Sequence, residues 1–141
     1  MRNAGVLICC FLLLSSTYVQ AEQTQDHYTK ALELADAGEI NEAIQELQAA
    51  VQDDEADENV YMALGLLSEK SGKDIQALEA FLKAEELDPR MDSVYFALGL
   101  LYEKLKLPDK AAESWNTFIA LSKNNELKRV AKKHIKFLTE K

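Results

Sequence analysis

The chain has 141 residues, enough for one domain, and apolar residues make up 48% of it, enough for a core along most of its length. It carries 24 acidic against 16 basic residues, a net charge of −8, which argues against nucleic acid as a partner. Both cysteines, Cys9 and Cys10, lie near the N-terminus, so the rest of the chain must be held by its core rather than by disulfides.

Residues 1–21 read as a separate object. Arg2 gives a positive start, Ala4–Leu14 is an unbroken apolar run, and Val19-Gln20-Ala21 places small residues where a signal peptidase cuts. The segment is expected to be a secretory signal peptide cleaved after Ala21. A retained membrane helix needs about 20 apolar residues, and this run turns polar at Ser15-Ser16-Thr17. A lipid anchor on Cys9 or Cys10 is disfavoured by the bulky Ile8 and by the short run before it. After Ala21 there is neither a cysteine nor an Asn-x-Ser/Thr site, which fits a bacterial periplasm better than a eukaryotic secretory route.

The remainder, 22–141, repeats itself. "VYMALGLLSEK" at Val60–Lys70 returns as "VYFALGLLYEK" at Val94–Lys104, 34 residues later. A shift of 34 aligns three copies, 24–57, 58–91 and 92–125, and such periods mean stacked supersecondary units. Within each copy the apolar spacing is helical, in two runs. In the second copy Tyr61, Leu64, Gly65 and Ser68 share one face of the first helix. Ala77, Leu78, Phe81 and Ala84 share one face of the second. Ser71-Gly72 separates the runs, and Asp88-Pro89 stops the second. Small residues at Gly65, Gly99, Ala43, Ala77 and Ala111 predict close helix crossings, and Pro108-Asp109 suits the start of a helix.

These positions carry a resemblance to the tetratricopeptide repeat family. The second copy has Tyr61, Leu64, Gly65, Gly72, Ala77, Phe81, Ala84 and Pro89. The third has Tyr95, Leu98, Gly99, Tyr102, Ala111 and Trp115, but departs at Lys106, Phe118 and Lys123. The first keeps Ala31, Leu34, Gly38, Ala43, Leu47 and Ala50, with His27 and Lys30 at places usually apolar and Glu55 in place of the final proline. The resemblance implies an all-α, right-handed α-solenoid of three helical hairpins. A capping helix over 126–139 would complete a domain spanning 22–141. On that helix Leu127, Val130, Ala131, His134, Ile135, Phe137 and Leu138 are expected to cover the third repeat, with Lys128, Arg129, Lys132, Lys133 and Lys136 in water. Seven helices are expected in all.

In this family the first helices of the repeats line a concave groove that usually binds another protein. The matching positions are Tyr28, Met62 and Phe96 at one level and Leu32, Leu66 and Leu100 one turn on, all apolar. Glu69, Lys70, Glu103 and Lys104 would form the rim, with Asp36 beside them. The expectation is an apolar groove for an amphipathic helix or an extended peptide, against the alternative that the stripe packs internally. Some relatives clamp a C-terminal carboxylate with Lys, Asn and Arg. Here Tyr28, Leu32, Ala63, Ser93 and Ala97 stand at those places, so that mode is not expected.

Other features read more plainly. The acidic run Gln52–Asn59 lacks the alternation and central glycine of a calcium loop, and Asp57 with Glu58 suits a helix cap. His27 and His134 sit at packing positions with no metal-ligand spacing. No nucleophile–base pair or phosphate loop is visible, so neither catalysis nor a cofactor or metal is expected. Residues 22–125 hold 22 acidic and 9 basic side chains, whereas 126–141 hold 6 basic and 2 acidic. The basic tail could lie on an anionic membrane; because the stack needs a lid, that is the lesser reading. It could also meet the acidic body of another molecule, the oligomeric state being open. The expected function is a non-catalytic, protein- or peptide-binding module of the bacterial envelope. The alternative is a structural subunit of a secretion, pilus or outer-membrane assembly.

Overall fold

Three turns, spaced by the repeat period, organise the chain. The amide N–H groups of Glu39, Lys73 and Leu107 donate to the carbonyls of Leu34, Ser68 and Tyr102, each five residues back, at 2.8–2.9 Å. The residue just before each donor has positive φ: Gly38 at 85°, Gly72 at 73° and Lys106 at 60°. This is the Schellman stop, in which a left-handed residue lets the chain reverse while satisfying helix-end carbonyls. Lysine thus keeps the backbone of the glycine it replaces.

The computed structural model describes residues 27–53 and 56–140; the expected signal segment, and Asp54 and Glu55 of the acidic run, lie outside them. Among the described residues there are seven helices and no strands. The chain divides into two units, residues 1–56 and 57–141. In the first, α1 (27–36) and α2 (Ile40–Gln52) form a helical hairpin. Ala31, Ala43, Ile44, Leu47 and Ala50 are its buried side chains. Glu46 of α2 accepts from Lys30 Nζ at 2.6 Å and lies 2.7 Å from His27 Nδ1, so both unusual residues of the first copy serve one carboxylate.

The second unit contains α3 (Glu58–Lys70), α4 (Asp74–Leu87), α5 (Asp92–Lys104), α6 (Pro108–Leu121) and α7 (Asn125–Thr139). Asp57 caps α3 by accepting from the amides of Asn59 and Val60, and Asn124 caps α7 through those of Glu126 and Leu127. Pro108 opens α6, where its missing N–H would have been unpaired anyway. The packing layer is filled by Phe81, Leu98, Leu101, Trp115 and Phe118, all essentially inaccessible.

Two glycines set the spacing of the hairpins. A Cβ on Gly65 would stand 2.3 Å from the Phe81 ring, and one on Gly99 would stand 2.7 Å from two atoms of the Trp115 indole. The aromatic residue of each second helix therefore lies directly on the backbone of the first. This repeated contact explains why α3 and α5 both carry glycine at that slot.

The lid differs in part from expectation. Ala131 of α7 is buried and His134, Ile135 and Leu138 are half-buried, but Leu127, Val130 and Phe137 stay exposed, Phe137 at 58%. One helix laid on a hairpin covers only a narrow stripe. The wider apolar side predicted from the helical wheel needs a second neighbour to be buried.

Candidate functional site

The repeat places Met62 and Leu66 on α3 at the same register as Phe96 and Leu100 on α5. The structure splits each pair by depth. Met62 and Phe96 are half-buried and pack against the core cluster. Phe96 meets Trp115 and Phe118 edge-on, with ring centroids 5.1 and 5.2 Å apart. Leu66 and Leu100 project further and remain 46% and 38% exposed. Each of the two helices thus carries one anchored and one open apolar residue at the same register. On α1, in the other unit, Tyr28 is half-buried and Leu32 is 42% exposed, the same division again.

The charged positions behave differently. Glu69 is half-buried and Lys70 is exposed, and neither has an ion-pair partner among the described residues. Lys104 donates to Asp74 of α4 at 2.5 Å, and this bond, with the Asp74 charge, holds its ammonium above the ordinary lysine value. Glu103 is not an open rim charge. It accepts from Trp115 Nε1 at 2.6 Å and lies 2.9 and 3.1 Å from His134 Nδ1. The His134 ring stacks on Trp115 at 4.7 Å. Of the four expected rim charges, only Glu69 and Lys70 stay outside ion pairs among the described residues, and the Glu69 charge still acts on the Lys104 ammonium.

The Glu103–Trp115–His134 cluster was not legible as a unit in the sequence. Its members come from three helices and share no spacing. One hint was available: Trp115 takes the slot of Phe81, and a buried indole N–H needs an acceptor.

Two cavities are lined by residues of the second unit. One, of about 200 Å³, is lined by Glu85, Tyr95, Leu98, Tyr102, Lys110 and neighbours on α6. Burial first, then the Glu85 carboxylate, pushes both phenols above their ordinary value. The other, of about 400 Å³, is lined by Glu103, Lys106, Pro108, Phe137 and Leu138. Among the described residues no group of three or more His, Cys, Asp or Glu side chains could hold a metal ion. No described helix is long and apolar enough to cross a membrane.

Comparison with known proteins places this architecture. A family model described as TPR repeat matches residues 31–72, and one described as tetratricopeptide repeat matches 58–91 and 92–125. No curated protein sequence matches the chain. Among solved structures, PcrH from Pseudomonas aeruginosa aligns at TM-score 0.74 and 20% identity, over 84% of this chain and 92% of that one. The Arabidopsis OM64 TPR domain aligns at TM-score 0.76 and 20% identity, over 83% and 97%. The Yersinia enterocolitica type III secretion chaperone SycD, in complex with a peptide of the translocator YopD, aligns at TM-score 0.77 and 16% identity, over 84% and 93%. With matched models together spanning 31–125 and an all-α helical-repeat fold, the chain belongs to the tetratricopeptide repeat family.

Proposed function

We propose that the chain is a non-catalytic interaction module of the bacterial envelope that holds an apolar segment of a protein partner against α3 and α5. The observation that carries the reading is the repeated exposure of Leu66 and Leu100 outside a packing layer that is already full. Neither leucine is needed to complete the core, and two such side chains at one register offer a partner a matched pair of apolar contacts. Each leucine is already more than half buried, so covering the rest contributes about half or less of the roughly 1.5–3 kcal/mol of a full burial. The reading is supported by the similar SycD, whose structure contains a peptide of YopD, and by PcrH, solved with the chaperone-binding region of PopD. The envelope assignment rests on the signal-like character of residues 1–21 and on the lack of cysteine beyond them.

The test is affinity capture from an envelope fraction, with the parent and a Leu66→Asp/Leu100→Asp variant run in parallel. Both positions are exposed, so the variant is expected to keep its helicity by circular dichroism while losing the captured protein. A folded variant that captures the same protein as well as the parent does would sink the reading.

A further inference from the structure

We infer that the exposed edge of α7 is a self-association surface, and that its occupant is the acidic α1–α2 hairpin of a second copy of this chain. On α7, Val130 and Phe137 stand two turns apart and stay 37% and 58% exposed, although the helix is docked through Ala131. Lys133 falls between them at helical spacing, with Arg129 one turn before it, so this part-exposed edge is both apolar and basic. Among the described residues Arg129 and Lys136 pair only with Glu126 on the same helix and Glu140 at its C-terminal cap, and such exposed pairs contribute little. Lys128, Lys132 and Lys133 have no carboxylate partner among the described residues.

The α1–α2 hairpin is the opposite object. Between residues 27 and 53 six carboxylates stand against a single lysine, Lys30, which is held on Glu46. Glu33, Asp36, Glu39 and Glu42 gather around the turn at Gly38, all exposed and none with a cationic partner among the described residues. Glu33 and Asp36 lie in the last turns of α1, where the helix dipole disfavours negative charge. Their own helix gains nothing from them. A basic helix edge and an acidic helix end on one chain satisfy each other when two copies meet.

An anionic lipid surface is the competing occupant for a basic, apolar helix edge. Ala131, Ile135 and Leu138 are already committed to the fold, which leaves little apolar area to insert. The net charge of −8 also repels such a surface.

The experiment is light scattering on protein purified from cells expressing the full-length chain, across a concentration series at about 0.01 M and about 1 M ionic strength. The parent is expected to exceed monomer mass at low ionic strength and to return to monomer at high. Arg129→Glu/Lys133→Glu and Glu33→Lys/Asp36→Lys are each expected to weaken association at least about tenfold, since each sets like charge against like. An equimolar mixture of the two is expected to restore it, because the swapped surfaces complement each other. The second variant places cations at a helix C-terminus, so it should fold at least as well as the parent. A parent monomeric at every concentration, variants that associate like the parent, or a mixture that stays monomeric would each overturn the inference. So would a monomeric parent that floats with vesicles containing phosphatidylserine and loses them with the α7 variant. Leu66→Asp/Leu100→Asp should associate like the parent, which separates this inference from the proposed function.

Discussion

Glu103 of α5 accepts the indole N–H of Trp115 in α6 at 2.6 Å, and the same carboxylate reaches His134 of α7. One side chain fastens three consecutive helices. Removing it leaves a fully buried indole donor without an acceptor, a loss of about 1–3 kcal/mol. Glu103→Ala should lower urea stability by that amount, and Glu103→Gln, whose amide oxygen still accepts, by less. Hydrogen exchange should quicken in α7 more than in α4.

Gly99→Ala sets two effects against each other. Alanine improves helix propensity by about 1 kcal/mol. Its Cβ would sit 2.7 Å from a rigid indole that is itself packed on all sides. Overpacking of this kind costs about 1–3 kcal/mol, so the variant should be less stable in chemical denaturation. Gly65→Ala, opposite Phe81, should behave the same way.

Lys106 holds a left-handed conformation that glycine occupies in the other two turns. A non-glycine residue there gives up about 1–2 kcal/mol. Glycine relieves that cost, but its freer unfolded chain takes back about 0.4–1 kcal/mol. The net expectation for Lys106→Gly is a gain of about 0.5–1 kcal/mol, read as a higher denaturation midpoint.

The first hairpin should be acid-sensitive. The hydrogen bond from Lys30 first, then that from His27, holds the Glu46 carboxyl below its ordinary value of 4.5. A carboxylate with a depressed folded value contributes stability that is present above its unfolded value and lost as pH falls through the folded one. Stability measured from neutral pH downward should therefore drop across that window in the parent. Glu46→Gln should lack this component of the drop and be less stable at neutral pH.

How much of this was legible depended on whether a residue's role repeats. Gly38, Gly72, Gly65 and Gly99 could be read because each occupies a slot that recurs at the repeat period, and the structure gives each the close contact or left-handed turn that slot requires. The groove positions came from the family resemblance, which set Leu66 and Leu100 beside Met62 and Phe96 and did not separate the exposed pair from the half-buried one. Glu103 could not be read. Its partners lie 12 and 31 residues onward, on other helices, and its counterpart Glu69 has neither an indole nor a histidine to serve. Val130 and Phe137 were misplaced for a different reason. A helical wheel gives the side of α7 that is apolar, but how much of that side is covered depends on how many helices lie against it.

Trp115 is the only tryptophan in the chain, fully buried with an imidazole on its face and a carboxylate on its nitrogen. All ultraviolet emission excited at the red edge of the aromatic band therefore comes from the point where α5, α6 and α7 meet. A shift or quenching of that emission registers the lid lifting from the last repeat, without any attached dye. The molecule carries its own gauge for whether its C-terminal helix is seated.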